Sequence, residues 1–547
     1  MLVNQLQRPQ VMREVHAPSF DEETDVLIIG SGAGALTASL RSLKLGLRTI
    51  AVEKEKTIWI PCNAVSRKAG IQDSKERALK YFEHAVGDVG PTSSLTKRHA
   101  YLDNGPKMVE FLQQEDFELH FSKGYPDYYP ALEGAMGKRG GRTIESRAFD
   151  TRRIKAAQSR LPPSSVPLSL YTNEAPLFAR IMASPRAFLE VVWTALPRIV
   201  RSLLGQKLTT LGRGLVAQLL YLNMKCQTNN IRFGTALSKL IQAGDGRVIG
   251  AQVQDGNGVY AIRANRGVIL AAGGPISIRR TSAPACDTGD AIQEGLRLGA
   301  ATAVLDDAWW GPTILDPNTS KPVFALMKRA RPHCFIVDST GARFMNEAQS
   351  YTDAGHDQYA RNEKLSAIPA WLIMDTNHRD KHFLGSLFPR MRPSADAMKS
   401  GRIVTAPSVA KLAAKIGVDS DRLCRTAERF NGMCQRGVDD DFRKGDSAYD
   451  RFFGDPSIRP KPNLGHLDKP PYYAVQIWPG DLGTKGGLLT DKFQRVLNRE
   501  MQLITGLYAI GNTASSIMGR TYLGAGSTLG PAMTHGYIAA SHMSKSD

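Results

Sequence analysis

The sequence predicts an α/β fold whose main domain is assembled from two separated stretches of chain, with an α+β unit inserted between them. Three observations carry this expectation. Residues 26–29 are an apolar run that meets a glycine-rich turn and then a helical pattern. Two more short apolar runs, at 266–274 and 503–512, each contain close-set glycines and return the chain to the same sheet. Between about 300 and 473 the texture changes to short strands, charged loops and amphipathic helices.

The first stretch is the most specific. Residues 24–53 read TDVLIIGSGAGALTASLRSLKLGLRTIAVE. Val26-Leu27-Ile28-Ile29 suits a parallel strand covered on both faces, because its hydrophobicity is continuous and not alternating. The turn Gly30-Ser31-Gly32-Ala33-Gly34-Ala35 then opens a helix through Leu43. In a G-x-G-x-x-G/A pattern, Gly30 permits the tight turn and Gly32 admits a pyrophosphate to the backbone. Gly34 keeps the turn small, and Ala35 is the small third residue where helix meets strand. A second strand over 49–52 ends at Glu53, with Lys54 beside it, about 20 residues past the glycines, where a carboxylate can accept from a ribose hydroxyl. Strand, turn, helix, strand and acid in that order point to a dinucleotide site. A glycine-rich βα turn with no ligand is the competing reading.

The later pieces complete the domain. The run at 266–274, RGVILAAGG, brings Ala272 and Gly273 to the end of a strand, and 503–512, LITGLYAIGN, does the same with Gly511 and Asn512. Ser527-Thr528-Leu529 then precede a helical pattern over 532–543. A helix start there aims free N–H groups at an electron-rich ring edge such as a flavin pyrimidine. The expected domains are an N-terminal extension (1–23), a first dinucleotide-domain segment (24–299), a catalytic or capping unit (300–474) and a second dinucleotide-domain segment (475–547). Within 409–435, Leu412, Ile416, Leu423, Ala427 and Phe430 keep a helical period.

Composition bounds the function. The chain has 547 residues, 42% of them hydrophobic, enough for more than one core. Its six cysteines show no CxxC pair and no metal-ligand spacing, so no metal site is expected and reduced thiols suit a cytoplasmic setting. No apolar run opens the N-terminus, so neither a signal peptide nor a membrane-spanning start is expected. The net charge is +18, but no nucleic-acid module accompanies it, which argues against a nucleic-acid partner. Residues 161–224 are apolar, basic and almost free of acids. Pro185 and Pro197 interrupt them, so they are expected to lie on a membrane surface through about 176–224, or to pack as a helical hairpin with arginines in solvent.

Five further segments carry a resemblance: GYPDYY at 124–129, DDAWW at 306–310, GARFMNEAQSY at 341–351, DLGTKGGL at 481–488 and TYLGAG at 521–526. With the dinucleotide pattern they resemble the 3-ketosteroid 1,2-dehydrogenase family of the fumarate reductase–like flavoproteins, over about residues 25–537. The resemblance implies FAD, an external electron acceptor and a hydrophobic 3-keto steroid or triterpenoid. It implies Tyr351 as the base that takes the carbon-2 proton, with Tyr128 hydrogen-bonded to it, Tyr125 and Tyr129 sharing that loop. It implies the Tyr522 hydroxyl and Gly526 N–H as the pair that holds the carbon-3 oxygen. Ser527, Thr528 and Leu529 would meet the flavin. A reductase of the fumarate type, or a desaturase acting at another ring bond, remains as the alternative.

One departure from the family stands out. Family members carry a glycine- and serine/threonine-rich stretch after the ribose acid. Here Glu53-Lys54-Glu55-Lys56-Thr57 runs directly into Ile58-Trp59-Ile60-Pro61, roughly a dozen residues short. Either the gene reading omits an exon end, or the chain has diverged toward weak flavin binding or none.

Overall fold

The computed structural model describes residues 19–51, 58–161, 169–178, 181, 185–227, 231–274, 281 and 288–545. Glu53 and Lys54 lie outside the described residues, as does Val52 at the end of the expected second strand.

Two sheets organise the molecule. The larger runs Thr49–Ile50, Glu22–Ile29, Gly258–Leu270, Leu503–Ala509, Arg495–Leu497. Its first four strands are parallel neighbours, and Arg495–Leu497 is antiparallel at the edge. The apolar runs at 26–29 and 266–274 thus sit side by side, with Leu27 opposite Val268 and Ile29 opposite Leu270. The side chains of Val26–Ile29 and Val268–Leu270 are buried because helices cover the sheet. The 13-residue strand Gly258–Leu270 also pairs antiparallel, through its first half, with Val248–Asp255.

The helices Ala33–Lys44 and Leu529–Met543 cross closely. Gly34 would place a Cβ 2.7 Å from the Ala532 carbonyl oxygen, so its small size serves that crossing directly. Gly30 is demanded by a different contact. Its φ is +121°, and a Cβ would stand 2.2 Å from the Ala271 oxygen at the end of the neighbouring strand.

The second sheet is wholly antiparallel among its assigned pairs. It runs Pro322–Phe324, Thr313–Leu315, Tyr472–Trp478, Ala370–Met374, Cys334–Val337, with Val404–Ala406 also on Tyr472–Trp478. Tyr472–Trp478 crosses the expected boundary at 474. The helical period over 409–435 resolves into two helices, Val409–Ile416 and Ser420–Arg436. Gly417 ends the first in a left-handed conformation, φ +73°, which glycine adopts without Cβ strain. Leu412, Leu423 and Phe430 from these helices pack on Phe335, Val337 and Ile373 of the sheet.

The apolar basic stretch contains Pro185–Leu203 and Leu211–Cys226. Pro197 does not break the first of these helices, contrary to the expectation that it interrupts the segment. It lies on an exposed face, where the carbonyl it leaves unbonded can be hydrated. Pro185 begins the helix, where a missing N–H costs nothing. Leu211–Cys226 is buried along most of its length, and its Asn223 amide donates to the Leu36 carbonyl at 3.0 Å. Among the described residues, no helix is long and apolar enough to cross a membrane.

Candidate active site

The three tyrosines singled out from separate motifs converge in one core. Tyr128 comes from an irregular loop, Tyr351 opens the helix Tyr351–Asn362, and Tyr522 lies in the loop before Leu529–Met543. They are 5%, 4% and 6% exposed. The Tyr128 and Tyr351 hydroxyls are 3.4 Å apart. The Tyr522 ring lies 5.2 Å from Tyr128, stacked, and 5.0 Å from Tyr351.

The neighbouring tyrosines of the 124–129 loop turn elsewhere. Tyr125 packs on Phe452 and Phe453, and Tyr129 donates to Asp353 at 3.0 Å. Tyr128 N–H ties this loop to the Tyr522 loop by donating to the Leu523 carbonyl at 2.9 Å; the Tyr81 hydroxyl, from the helix Lys75–Val86, donates to the same carbonyl at 2.7 Å and accepts from Tyr129 N–H at 3.2 Å.

A buried arginine underlies the arrangement. Arg142, 1% exposed, pairs with Asp73 at 2.8 Å and with Asp127 at 3.2 Å. Asp127 also accepts from the Trp59 indole at 3.0 Å and Met136 N–H at 2.9 Å. Burial pushes the Asp127 carboxyl up, and Arg142 opposes it. Replacing Arg142 by alanine strands that carboxylate directly beside Tyr128. We expect a loss of about 3–5 kcal/mol, measured by urea denaturation; a loss under about 1 kcal/mol would mean the cluster is not needed to hold the loop.

Gly526 fixes the other side. Its φ is +101°, and a Cβ would lie 2.3 Å from the Ile58 carbonyl carbon and 2.5 Å from Trp59 N. Its carbonyl accepts from Trp59 N–H at 3.0 Å. Ile58–Trp59 pairs with Thr143–Ser146, so this strand holds its place although residues 52–57 before it are undescribed.

Burial, the largest influence, drives the Tyr351 phenol well above its ordinary range, and Tyr522 beside it adds to this. The hydrogen bond with Tyr128 acts in the opposite direction. Asp353, behind Tyr129, is pushed by burial to about 6. A carboxyl raised above its ordinary 3.8 contributes stability that is fully present below that value and lost as pH rises through 6. Asp353→Asn is therefore expected to gain on the parent protein above about pH 6, by up to about 3 kcal/mol. Chemical denaturation at acidic and neutral pH checks it, and a pH-independent difference would contradict it.

Glu53 and Lys54 lie outside the described residues; the other residues expected to bind the cofactor are placed as follows. Ala35 packs among Val26, Ile28 and Ile269. Ala272 and Gly273 follow the strand Gly258–Leu270, and the Gly273 carbonyl accepts from Thr513. Trp309, Gly511, Asn512, Thr528 and His535 line one narrow cleft. The Asn512 side-chain oxygen accepts from the Trp309 indole at 3.0 Å, and Trp309 in turn stands edge-on to Tyr522 at 5.2 Å. Thr528 and Tyr522 hydroxyls are 3.4 Å apart. The Ser527 hydroxyl is engaged locally, donating to Gly524 O at 2.8 Å. Gly32 is the N-cap residue of Ala33–Lys44, and Leu529 opens the final helix.

FAD fits this set. Among the described residues, the Ser31 hydroxyl, between Gly30 and Gly32, is buried with no hydrogen-bond partner, which is a donor left for a phosphate oxygen. Lys97, buried and held at about 8, hydrogen-bonds Thr490 at 3.1 Å and depresses His535 at the cleft, whose burial is the larger cause.

Comparison with known proteins decides the family. The family model described as "FAD binding domain" matches residues 25–529. The 3-oxosteroid 1-dehydrogenase of Mycobacterium tuberculosis is 38% identical over 95% of this chain and 98% of its own length. The chain belongs to the 3-oxosteroid 1-dehydrogenase family. Another of its members, from Mycolicibacterium smegmatis, is 37% identical over 95% of this chain and 97% of its own. The chain is also similar to 4-oxocyclohexanecarboxylate 2-dehydrogenase of Sinomonas cyclohexanicum, at 31% over 94% of this chain and 92% of that one. A crystal structure of 3-ketosteroid Δ1-dehydrogenase from Sterolibacterium denitrificans, in complex with 1,4-androstadiene-3,17-dione, superposes with a TM-score of 0.89 at 34% identity, covering 96% of this chain and all of that one. Members of the 3-oxosteroid 1-dehydrogenase family are FAD enzymes acting on CH–CH bonds, and FAD is the cofactor this chain's family model describes.

Sequence reasoning missed some of the site. The Tyr449 ring lies 4.4 Å from Tyr128, and Phe324 meets Tyr351 edge-on at 5.2 Å. Tyr449 sits in the aromatic run AYDRFF, which reads as ordinary core. Trp309, within the DDAWW segment, is both buried and in contact with Tyr522.

Proposed function

We propose that this chain catalyses FAD-dependent 1,2-dehydrogenation of a 3-keto steroid, or of a 3-keto triterpenoid of similar shape. The observation that carries the proposal is the meeting of Tyr128, Tyr351 and Tyr522 in one buried cluster beside Gly526, in a chain of this family. The domain reading that goes with it is a discontinuous, Rossmann-like FAD domain, capped by an inserted α+β unit centred on the antiparallel sheet.

A proton beside a ketone is too weakly acidic to leave unless the carbonyl oxygen is stabilised as charge develops on it. Tyr522 hydroxyl and Gly526 N–H supply two donors for that oxygen, in a water-poor surround where such donors count most. Tyr351 takes the carbon-2 proton as its phenolate. Burial makes that phenolate costly, and the Tyr128 hydroxyl offsets part of the cost by donating to it. FAD, when bound, supplies the acceptor for the carbon-1 hydride. Ser31, the turn glycines and the start of Leu529–Met543 would hold it, with Glu53 on its ribose. The remaining partner of this reading would be an external electron acceptor.

The surroundings favour an apolar ring substrate. Tyr522 faces the rings of Tyr128, Tyr351 and Trp309. A fumarate-type reductase would need cations facing two carboxylates; Lys485, which lies over the Trp309 ring, is instead paired with Asp307 at 3.3 Å. The relative named for an oxocyclohexane substrate also acts on a ring ketone, which supports the reading that the site recognises that group. Steady-state assay with a 3-keto steroid and an artificial acceptor tests the proposal: formation of the 1-ene product supports it, and reduction of the acceptor with no ring desaturation rejects it.

A further inference from the structure

Asp353 is a partly buried carboxylate that enters no ion pair among the described residues. It stands in the first turn of Tyr351–Asn362, beside the base. Lys485 and His356, the cations whose fields reach it, both pair with Asp307 instead, at 3.3 and 2.9 Å. Desolvation therefore wins and raises its carboxyl. An acid kept at such a cost next to reacting groups points to a use there.

The use follows from what Tyr129 does. The hydroxyl that donates to Asp353 at 3.0 Å also accepts from Tyr522 N–H at 3.5 Å. A hydroxyl that donates to a carboxylate gathers negative charge on its oxygen and accepts more strongly. The loop is gripped on either side as well. Lys485 donates to the Arg520 carbonyl, and the Leu523 carbonyl takes bonds from Tyr128 N–H and the Tyr81 hydroxyl. Tyr129 holds Tyr522 itself. One helical turn thus carries both the base, Tyr351, and the anchor of the donor whose ring lies 5.0 Å from it.

We propose that Asp353 is the positioning residue of the carbonyl-binding loop: its carboxylate orients the Tyr129 hydroxyl, which holds the Tyr522 main chain and so sets the Tyr522 hydroxyl against Tyr351. The role rests on the ring dehydrogenation proposed above. Protonation weakens it, because a neutral carboxyl accepts less strongly than a carboxylate. The groups that face Asp353 are Tyr129 from its loop, His356 and Asp357 from its own helix, and Lys485 from the loop after Asp481–Thr484. His356 and Lys485 favour the ionised form, and Asp357 opposes it. The rate is therefore highest above about pH 6 and falls as pH drops through that value. The ionised form is the less stable and the faster one.

The test is single-turnover reduction of the FAD-loaded enzyme by a saturating 3-keto steroid, followed anaerobically at the flavin band from about pH 5 to about pH 8. The parent should slow about tenfold toward the acid end, as a slightly displaced donor would cause. D353N should be about tenfold slower than the parent at neutral pH and lack the acid limb. Y129F should be as slow, and D353N/Y129F no slower than either alone, since all three break one chain of contacts. The loss should fall on the reduction rate and not on steroid affinity. D353N is the more stable protein at neutral pH, so its slowness is no folding defect. A parent that steroid does not reduce at any pH rejects the dehydrogenation and this role with it. A parent that is reduced, with D353N equally fast or still showing the acid limb, or with losses that add in the double variant, rejects the role alone.

Discussion

Replacing Tyr351 by phenylalanine is expected to lower turnover about a thousandfold, within the range general-base catalysis contributes. The substitution removes one oxygen from a residue 4% exposed and leaves its ring contacts with Tyr128, Phe324 and Tyr522 intact. Folding and FAD content should therefore be unchanged, and the loss should fall on kcat more than on KM. Turnover within tenfold of the parent would remove Tyr351 from the chemistry and shift attention to Tyr449, whose ring lies 4.4 Å from Tyr128.

Gly526→Ala should act through the backbone. The added Cβ meets main-chain atoms of Ile58 and Trp59, which cannot swing aside as a flexible side chain would, and φ is +101°. Positive-φ strain costs about 1–3 kcal/mol and overpacking about as much again. Either the loop moves, carrying Tyr522 and the 526 N–H away from a shared oxygen, or the Ile58–Trp59 strand shifts. Both outcomes lower stability by several kcal/mol and turnover by more than about a hundredfold, since one lost donor alone costs that much. Thermal unfolding and a steady-state assay read the two effects. Near-parental activity in a stable Gly526→Ala protein would mean the loop has a second conformation compatible with catalysis.

Much of this was legible in the sequence because the relevant signals are local. Continuous hydrophobicity at 26–29 and the turn that follows specify a covered strand and a helix start. The tyrosine motifs are each recognisable within a few residues. What sequence reading could not supply was long-range. Gly30 is needed against Ala271, and Tyr449 meets Tyr128 across more than 300 residues of chain. The packed face of Pro185–Leu203 was hidden for a related reason: its periodicity shows an apolar side but not which side packs, and the packed side carries Ala187, Val191 and Ala195. Pro197 was read as a break because its cost to a helix depends on whether the freed carbonyl meets water.

The most direct measurement is the visible spectrum of the purified protein, titrated anaerobically with a 3-keto steroid after incubation with FAD. Flavin bands that bleach as steroid is added, with one reduced flavin per molecule of 1-ene formed, are the predicted result. Protein that stays colourless with added FAD, or flavin bands that steroid leaves unchanged, would contradict the account.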